Sequence, residues 1–266
     1  MTPKAAWRGF LLVASLFYCW LRFGLMRLAG PVSPQQRAEW MGLCGRTVLA
    51  AMGIRYRVEG KIPVGSTLIV ANHLSYLDIV IFSAALPCAF VAKEEIASWP
   101  GFGVLARLGG TIFVDRASRM SAYDAAEAMG SRLAAGVPVL VFPEGTSTDG
   151  REVTRFHSTL FEPAVEAALP VTPAAIFFQP VGELEERDLC WYGDDLFFPH
   201  LLQVLGVEGF TSVVRFGQPE VFPDRRTAAW RSHDAVESMR SRGWTCSEGA
   251  AVDPRTTRLV ETRNSR

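Results

Sequence analysis

Histidine and cysteine are both scarce in these 266 residues, with four of the first and five of the second. Cys19, Cys44, Cys88, Cys190 and Cys246 are scattered, odd in number and lack Cys-x-x-Cys spacing. That pattern argues against a disulfide scaffold and reads as free thiols in a reducing compartment. His73, His157, His200 and His233 lie far apart, with no His-Glu-x-x-His run, so no metal site is expected. Neither sign of charge prevails, with 27 Lys and Arg against 27 Asp and Glu. Without a basic surplus, a zinc-finger pattern or an RNA-recognition signature, a nucleic-acid partner finds no support. There is no Gly-x-Ser-x-Gly elbow, which counts against a serine lipase or esterase working through an acyl-serine. Internal repeats and long low-complexity tracts are also missing. The 49% hydrophobic content is enough to bury one large core, as a single domain does.

The residues that are present are unevenly spread. Residues 1–57 carry Lys4, Arg8, Arg22, Arg27, Arg37, Arg46, Arg55 and Arg57 against Glu39 alone, and acidic lipid surfaces attract such a segment. Gly9 to Leu21 is apolar apart from Ser15 and Tyr18, and Arg22 arrives before the roughly 20 residues needed to span a bilayer. A full span requires Arg22 to snorkel. At about 100° per residue, Lys4, Arg8, Ser15 and Arg22 share one narrow face, opposite Phe10, Val13, Phe17, Trp20, Leu21 and Phe23. This phasing predicts a helix lying in the membrane interface; a spanning helix and a packed core helix are the alternatives. No Ala-x-Ala site follows the apolar run, against a secretory signal. A second helix, about Pro34 to Met52, is expected to partner the first. From about Gly243 the chain mixes Thr, Ser, Gly, Asp, Pro and Arg without apolar periodicity, which predicts a disordered tail.

Between these ends, short β-branched or apolar runs alternate with helical stretches. Strands are predicted at Thr67–Ala71, Ala89–Ala92, Thr111–Val114, Val137–Phe142, Ala174–Phe178 and Ser212–Phe216, and helices near 76–86, 119–135 and 157–168. The expectation is an α/β fold with a mixed sheet covered by helices and an N-terminal helical membrane-binding segment. It divides into membrane-associating helices at 1–54, one domain at 55–242 and the tail at 243–266.

His73 and Asp78 stand five positions apart, just after a predicted strand. Imidazole titrates near neutrality, so a neutral ring beside an orienting carboxylate can take a proton from an alcohol. The plainer readings are a hydrogen-bonded histidine at a strand end and, for Ser75-x-x-Asp78, a capping box at the start of a helix. Gly145 follows another predicted strand, where its backbone can turn tightly and present N–H groups to an anion, or simply leave the strand. Arg116, closing an apolar strand, suits a phosphate oxyanion, or pairs with Asp115. Since the His73 and Glu144 runs both follow strands, they are expected to converge at one edge of the sheet.

In order, Asn72-His-Leu-Ser-Tyr-Leu-Asp78, Phe113-Val-Asp-Arg116, Phe142-Pro-Glu-Gly-Thr-Ser147 and Val171-Thr-Pro-Ala-Ala-Ile176 make the chain resemble the glycerolipid acyltransferases, whose best-known members are the 1-acyl-sn-glycerol-3-phosphate acyltransferases. The resemblance covers roughly residues 55 to 220. It implies that His73 deprotonates the acceptor hydroxyl, that Asp78 holds the imidazole, and that Arg116, Glu144 and Gly145 bind the acceptor. Asn72, Lys93 and Thr146 complete the candidate substrate-binding set. No cofactor is implied; acyl-CoA or acyl carrier protein is the co-substrate, a lysolipid the acceptor, and the cytoplasmic face of the inner membrane the location. The acceptor expected first is 1-acylglycerol 3-phosphate, giving phosphatidic acid.

Many members carry Arg where this chain has Ser147, which removes a cation from the headgroup site. The run from Cys190 to Leu202, with Trp191, Tyr192 and His200, is similar to a bacterial subgroup that includes lyso-ornithine lipid acyltransferases. Lyso-ornithine lipid or another lysolipid is therefore the alternative acceptor, and a non-catalytic lipid-binding protein on the same fold is the alternative of a different class. Trp191 and Tyr192 are read either as lipid contacts or as core, and His200 as structural.

Overall fold

The computed structural model describes residues 2–242 apart from 100, 116 and 117, and leaves out the side chains of 119 and 122. The predicted disordered tail and Cys246 lie outside the described residues, as does Arg116. Two helices open the chain, α1 (Pro3–Leu28) and α2 (Pro34–Met52). The bounds of α2 follow from local chemistry. Ser33 Oγ accepts from the Gln36 N–H while Gln36 Oε1 accepts from the Ser33 N–H, Pro34 occupies the first turn, and Gly53 ends the helix in the left-handed region.

The sheet is built from β1 (Arg55–Glu59), β2 (Leu68–Ala71), β3 (Ala89–Lys93), β4 (Ile112–Val114), β5 (Val139–Val141), β6 (Val171–Pro180) and β7 (Phe210–Phe216). Their order is β1-β7-β6-β2-β5-β3-β4. All neighbours run parallel except β6 and β7, so the sheet is mixed. Residues alternate between its faces. Ile69, Ala71, Leu140 and Ile176 pack into one buried cluster, with side chains of α1, of α2 and of α3 (Leu77–Ala85). Leu68, Val70, Val139, Val141 and Ala175 pack into another on the opposite face. That second face is covered by α5 (Arg119–Ala134), α6 (Glu162–Glu166) and α8 (Arg225–Ser241). With both faces covered, the central strands read as unbroken apolar runs.

The predicted strands are all present within a few residues, and β1 is added at the edge. The helix predicted at 157–168 is shorter and broken, a 3-10 turn at Ser158–Phe161 followed by α6. Pro163 fits the first turn of α6 and Pro170 lies just beyond its end, which limits the helix to little more than one turn. Helices α4 (Phe102–Gly109), α7 (Phe197–Gly206) and α8 complete the fold. Asp224 caps α8 by accepting from the N–H groups of Arg226 and Thr227.

The phasing of α1 needs correction. The side that faces the protein carries Ala5, Leu12, Ser15, Cys19 and Phe23, with Arg8 at its edge: Arg8 donates to the carbonyls of Val207 at 2.7 Å and of Leu205 and Glu208 at 3.3 Å, near the C-terminal end of α7. A cation there meets carbonyls that the helix cannot itself satisfy. Phe23, expected on the apolar outer side, is buried against Trp40, with ring centroids 4.9 Å apart. The large side chains of Phe10, Val13, Phe17, Trp20 and Leu21 are exposed as expected, and Lys4 and Arg22 are exposed too. The helix continues past Arg22 to 26 residues, long and apolar enough to cross a membrane by length and composition.

Candidate active site

Strands β2 and β5 are parallel neighbours, so the segments that leave their C-terminal ends emerge side by side. One carries Asn72 and His73, the other Phe142 and Glu144. The imidazole lies flat on the Phe142 ring, with centroids 4.1 Å apart and planes 11° apart. His73 Nδ1 is 2.7 Å from Asp78 Oδ2, which also accepts from the backbone N–H groups of Leu74 at 2.7 Å and Ser75 at 3.1 Å. An oxygen that gathers two N–H donors is acting as an acceptor, which assigns the Nδ1 proton to the histidine. Nε2 is then the basic nitrogen. Asp78 is completely buried, and its Oδ1 has no hydrogen-bond partner among the described residues.

The capping reading of Asp78 is half realised. Its carboxylate reaches the Ser75 N–H as in a capping box, but Ser75 Oγ accepts from the Leu77 N–H, at 3.4 Å, rather than from that of Asp78. The helix start at α3 and the histidine support therefore share one carboxylate oxygen.

Glu144 points inward. Its Oε1 accepts the His73 N–H at 2.7 Å, and its Oε2 accepts the N–H and hydroxyl of Thr154, both at 2.8 Å. Burial raises the Glu144 carboxyl above its ordinary range, opposed by these same hydrogen bonds from Thr154 and His73. With both oxygens engaged, Glu144 fixes the spacing of the two loops. Thr148 completes the support: its N–H donates to the His73 carbonyl at 2.9 Å. Asn72 is also turned inward, paired at both ends of its amide with the backbone of Ile176 on β6.

His73 opens onto a cleft of about 490 Å³ whose walls include Lys93, Glu95, Gly145, Thr146 and Ser147. Gly145 turns there with φ 79°, where a side chain is strained. Thr146 is exposed and Ser147 half-buried. Lys93 pairs with Glu95 at 2.7 Å. Tyr76, Ile79, Ile96 and Trp99 form a wall common to this cleft and to an apolar cavity of about 90 Å³, which Leu16, Met41, Cys44, Val48, Phe102 and Phe197 help to line. The catalytic candidates thus stand beside an apolar cavity.

Trp191 and Tyr192 both line the cleft. His200 sits behind it, buried, with Nδ1 3.1 Å from the Tyr76 hydroxyl, and burial lowers its basicity. Phe142, Thr148, Thr154 and Tyr76 were not read from the sequence as site residues. Phe142 and Tyr76 were inside the motifs and their aromatic faces were the available signal. Thr154 had none, since an isolated threonine in a loop looks like many others. Among the described residues no group of three or more His, Cys, Asp and Glu side chains is placed to hold a metal ion.

Comparison with known proteins identifies the family and the fold. A family model described as Acyltransferase matches residues 53–177. The lyso-ornithine lipid O-acyltransferase of Brucella abortus is 36% identical over 211 residues, 73% of this chain and 79% of that one. The 1-acyl-sn-glycerol-3-phosphate acyltransferase of Neisseria meningitidis is 34% identical over 157 residues, 58% of this chain and 62% of that one. The crystal structure of the 1-acyl-sn-glycerophosphate acyltransferase PlsC from Thermotoga maritima superposes with a TM-score of 0.67 at 21% identity, covering 91% of this chain and 96% of that one. That likeness establishes a shared fold, and the extent of the sequence match establishes more: the chain belongs to the acyltransferase family.

Proposed function

We propose that this acyltransferase moves a fatty acyl group from a thioester, acyl-CoA or acyl carrier protein, to the free hydroxyl of a lysolipid at a membrane surface. The observation that carries the reading is the His73–Asp78 pair standing where a polar cleft and an apolar cavity share a wall. His73 Nε2 takes the hydroxyl proton while the oxygen attacks the thioester carbonyl. Collapse of the tetrahedral intermediate expels the thiolate, which recovers that proton from the imidazolium, leaving an ester and a free thiol. Asp78 keeps the ring in the required tautomer, and the apolar cavity accepts part of the acyl chain. No cofactor takes part in these steps.

The acceptor favoured by the cleft is lyso-ornithine lipid. Its headgroup carries a carboxylate and an ammonium, and the cleft wall offers the matching pair, Lys93 and Glu95. A phosphate headgroup would meet the Glu95 carboxylate and, at position 147, a serine hydroxyl in place of a guanidinium. The second reading, 1-acylglycerol 3-phosphate, is favoured by Arg116 in the Phe-Val-Asp-Arg motif and by the relative from Neisseria meningitidis. Both readings place the chain on the cytoplasmic face of the inner membrane, a compartment that suits its free thiols.

The test is a panel of lysolipids offered to purified protein with each donor type. Lyso-ornithine lipid is expected to give the highest kcat/KM. Preference for 1-acylglycerol 3-phosphate would move the assignment to the second reading. Failure to acylate any lysolipid from either donor would overturn the proposed reaction and favour a lipid-binding role.

A further inference from the structure

The chain on either side of the His73 ring is held from behind, and the supports lead to one residue near the end of α8. Asn72 accepts from the Ile176 N–H at 2.9 Å and donates to the Ile176 carbonyl at 3.2 Å. The His73 carbonyl accepts from the Thr148 N–H at 2.9 Å and from its hydroxyl at 3.3 Å. Arg240 reaches both supports. Its Nη1 donates to the Ile176 carbonyl at 3.0 Å, and its Nη2 donates to the carbonyl of Gly150, two residues past Thr148.

The guanidinium is itself fixed. Glu186 receives it on both carboxylate oxygens, each at 2.9 Å, and Glu186 Oε1 also accepts the Phe178 N–H at 2.8 Å. Its central carbon lies 4.9 Å from the Phe177 ring centroid. Only 11% of the Arg240 side chain is exposed. A planar fork with paired donors holds two carbonyls and a carboxylate in a set relation, which a lysine ammonium cannot do.

Arg240 does not line the cleft, so it has no direct part in substrate binding. We propose that Arg240 is a positioning residue for acyl transfer. It ties β6 to the 148–150 segment, and thereby holds the backbone on both sides of the catalytic ring at the spacing in which His73 meets Asp78 and the cleft together. Displacement of a reacting group by about 1 Å can cost on the order of a hundredfold in rate. The inference rests on His73 as the general base.

Full-length Arg240→Gln is the test, assayed with lyso-ornithine lipid, 1-acylglycerol 3-phosphate and both thioester donors. The expected result is a fall in kcat of about tenfold or more, with the KM of acceptor and donor held within about twofold. Arg240→Lys should fall between this variant and the parent. The His73 Nδ1–H resonance, followed by NMR of labelled imidazole, should move or broaden in Arg240→Gln. Val236→Ala, in the buried side of the same helix, supplies a variant destabilised to a similar degree whose kcat and resonance stay at parent values. Parent-like kcat in Arg240→Gln, or a fall no greater than in Val236→Ala at matched stability, overturns the proposal. If Arg240→Gln does not fold, Glu186→Gln, which weakens the fork while keeping the arginine, must show the same loss of kcat at constant KM or the proposal fails. His73→Ala separates the two levels: an active His73→Ala removes the general base itself, whereas an inactive His73→Ala beside a normal Arg240→Gln removes only the role of Arg240.

Discussion

At the rim where β2 and β5 end, the two buried carboxylates engage three of their four oxygens with protein donors. Along the outer side of α1 the situation is reversed: Trp7, Phe10, Val13, Phe17, Tyr18, Trp20, Leu21, Leu25 and Leu28 are exposed. The rim is nearly complete in hydrogen-bonding terms without a ligand and can keep its geometry in water. Exposed hydrocarbon, by contrast, costs about 25 cal/mol per Å² in water and is relieved by an apolar surrounding. A contiguous patch of this kind marks a contact surface. The proposed chemistry and the proposed membrane contact therefore fall on different parts of the chain, and substitutions should separate them.

The largest effect is expected at the rim. His73→Ala should lower kcat by about 10²–10⁴-fold, while the protein still folds and its sedimentation with anionic vesicles stays at the parent level. If vesicle binding falls together with turnover, the division between the two regions is wrong.

On α1, Phe17→Ser should do the opposite. Burying a phenylalanine side chain contributes about 1.5–3 kcal/mol, so vesicle partitioning should drop by roughly ten- to a hundredfold, with activity on short-chain monomeric lysolipid unchanged. Phe23→Ser is the contrasting change in the same helix. That ring packs on Trp40 inside the protein, so the loss should be read in unfolding rather than in membrane binding. Equal partition losses in the two variants would show that α1 is oriented differently.

This contrast also explains what the sequence disclosed and what it concealed. Ser33, Pro34 and Gly53 announce the ends of α2 through local capping chemistry, and the parallel strands announce themselves as apolar runs bounded by turns. The His73 and Asp78 pairing was legible because a five-residue separation across a loop and a helix start permits it. The inner face of α1 was misread because amphipathic phasing assigns the apolar side to the protein or membrane and the polar side to water. Here the buried residues, Ala5, Leu12, Ser15, Cys19 and Phe23, fall between the two sides, and Arg8 beside them donates to the carbonyl of Val207. Helix α8 was missed for another reason: its buried residues are Ala228, Ala229, Ser232 and Val236, small side chains that leave little hydrophobic period. Glu144 was expected at the acceptor because the family resemblance of its Phe-Pro-Glu-Gly-Thr run implies that role. Only its three protein donors show that it faces inward.

Glu144→Gln sharpens that last point. The amide has one accepting oxygen, so either the His73 N–H or the Thr154 N–H must face an NH₂ group. An unsatisfied buried donor costs about 1–3 kcal/mol. The expected outcome is a lower kcat and a lower unfolding temperature with acceptor KM little changed. A rise confined to acceptor KM would instead return Glu144 to headgroup binding.

The smallest effect is expected from Ser147→Arg, which bears on the acceptor alone. Ser147 lines the cleft with His73, Lys93 and Glu95, so a guanidinium there would stand close to the headgroup without touching the β2–β5 supports. An ion pair at a solvent-open site contributes about 0.2–1 kcal/mol, equivalent to a factor of about 1.4 to 5. The kcat/KM for 1-acylglycerol 3-phosphate relative to lyso-ornithine lipid should rise by that factor and shrink again at high salt, because exposed charge pairs are screened. Vesicle binding should not change, since α1 is untouched. An unaltered acceptor ratio would remove position 147 from headgroup choice and leave the assignment to Lys93, Glu95 and the Trp191 wall of the cleft.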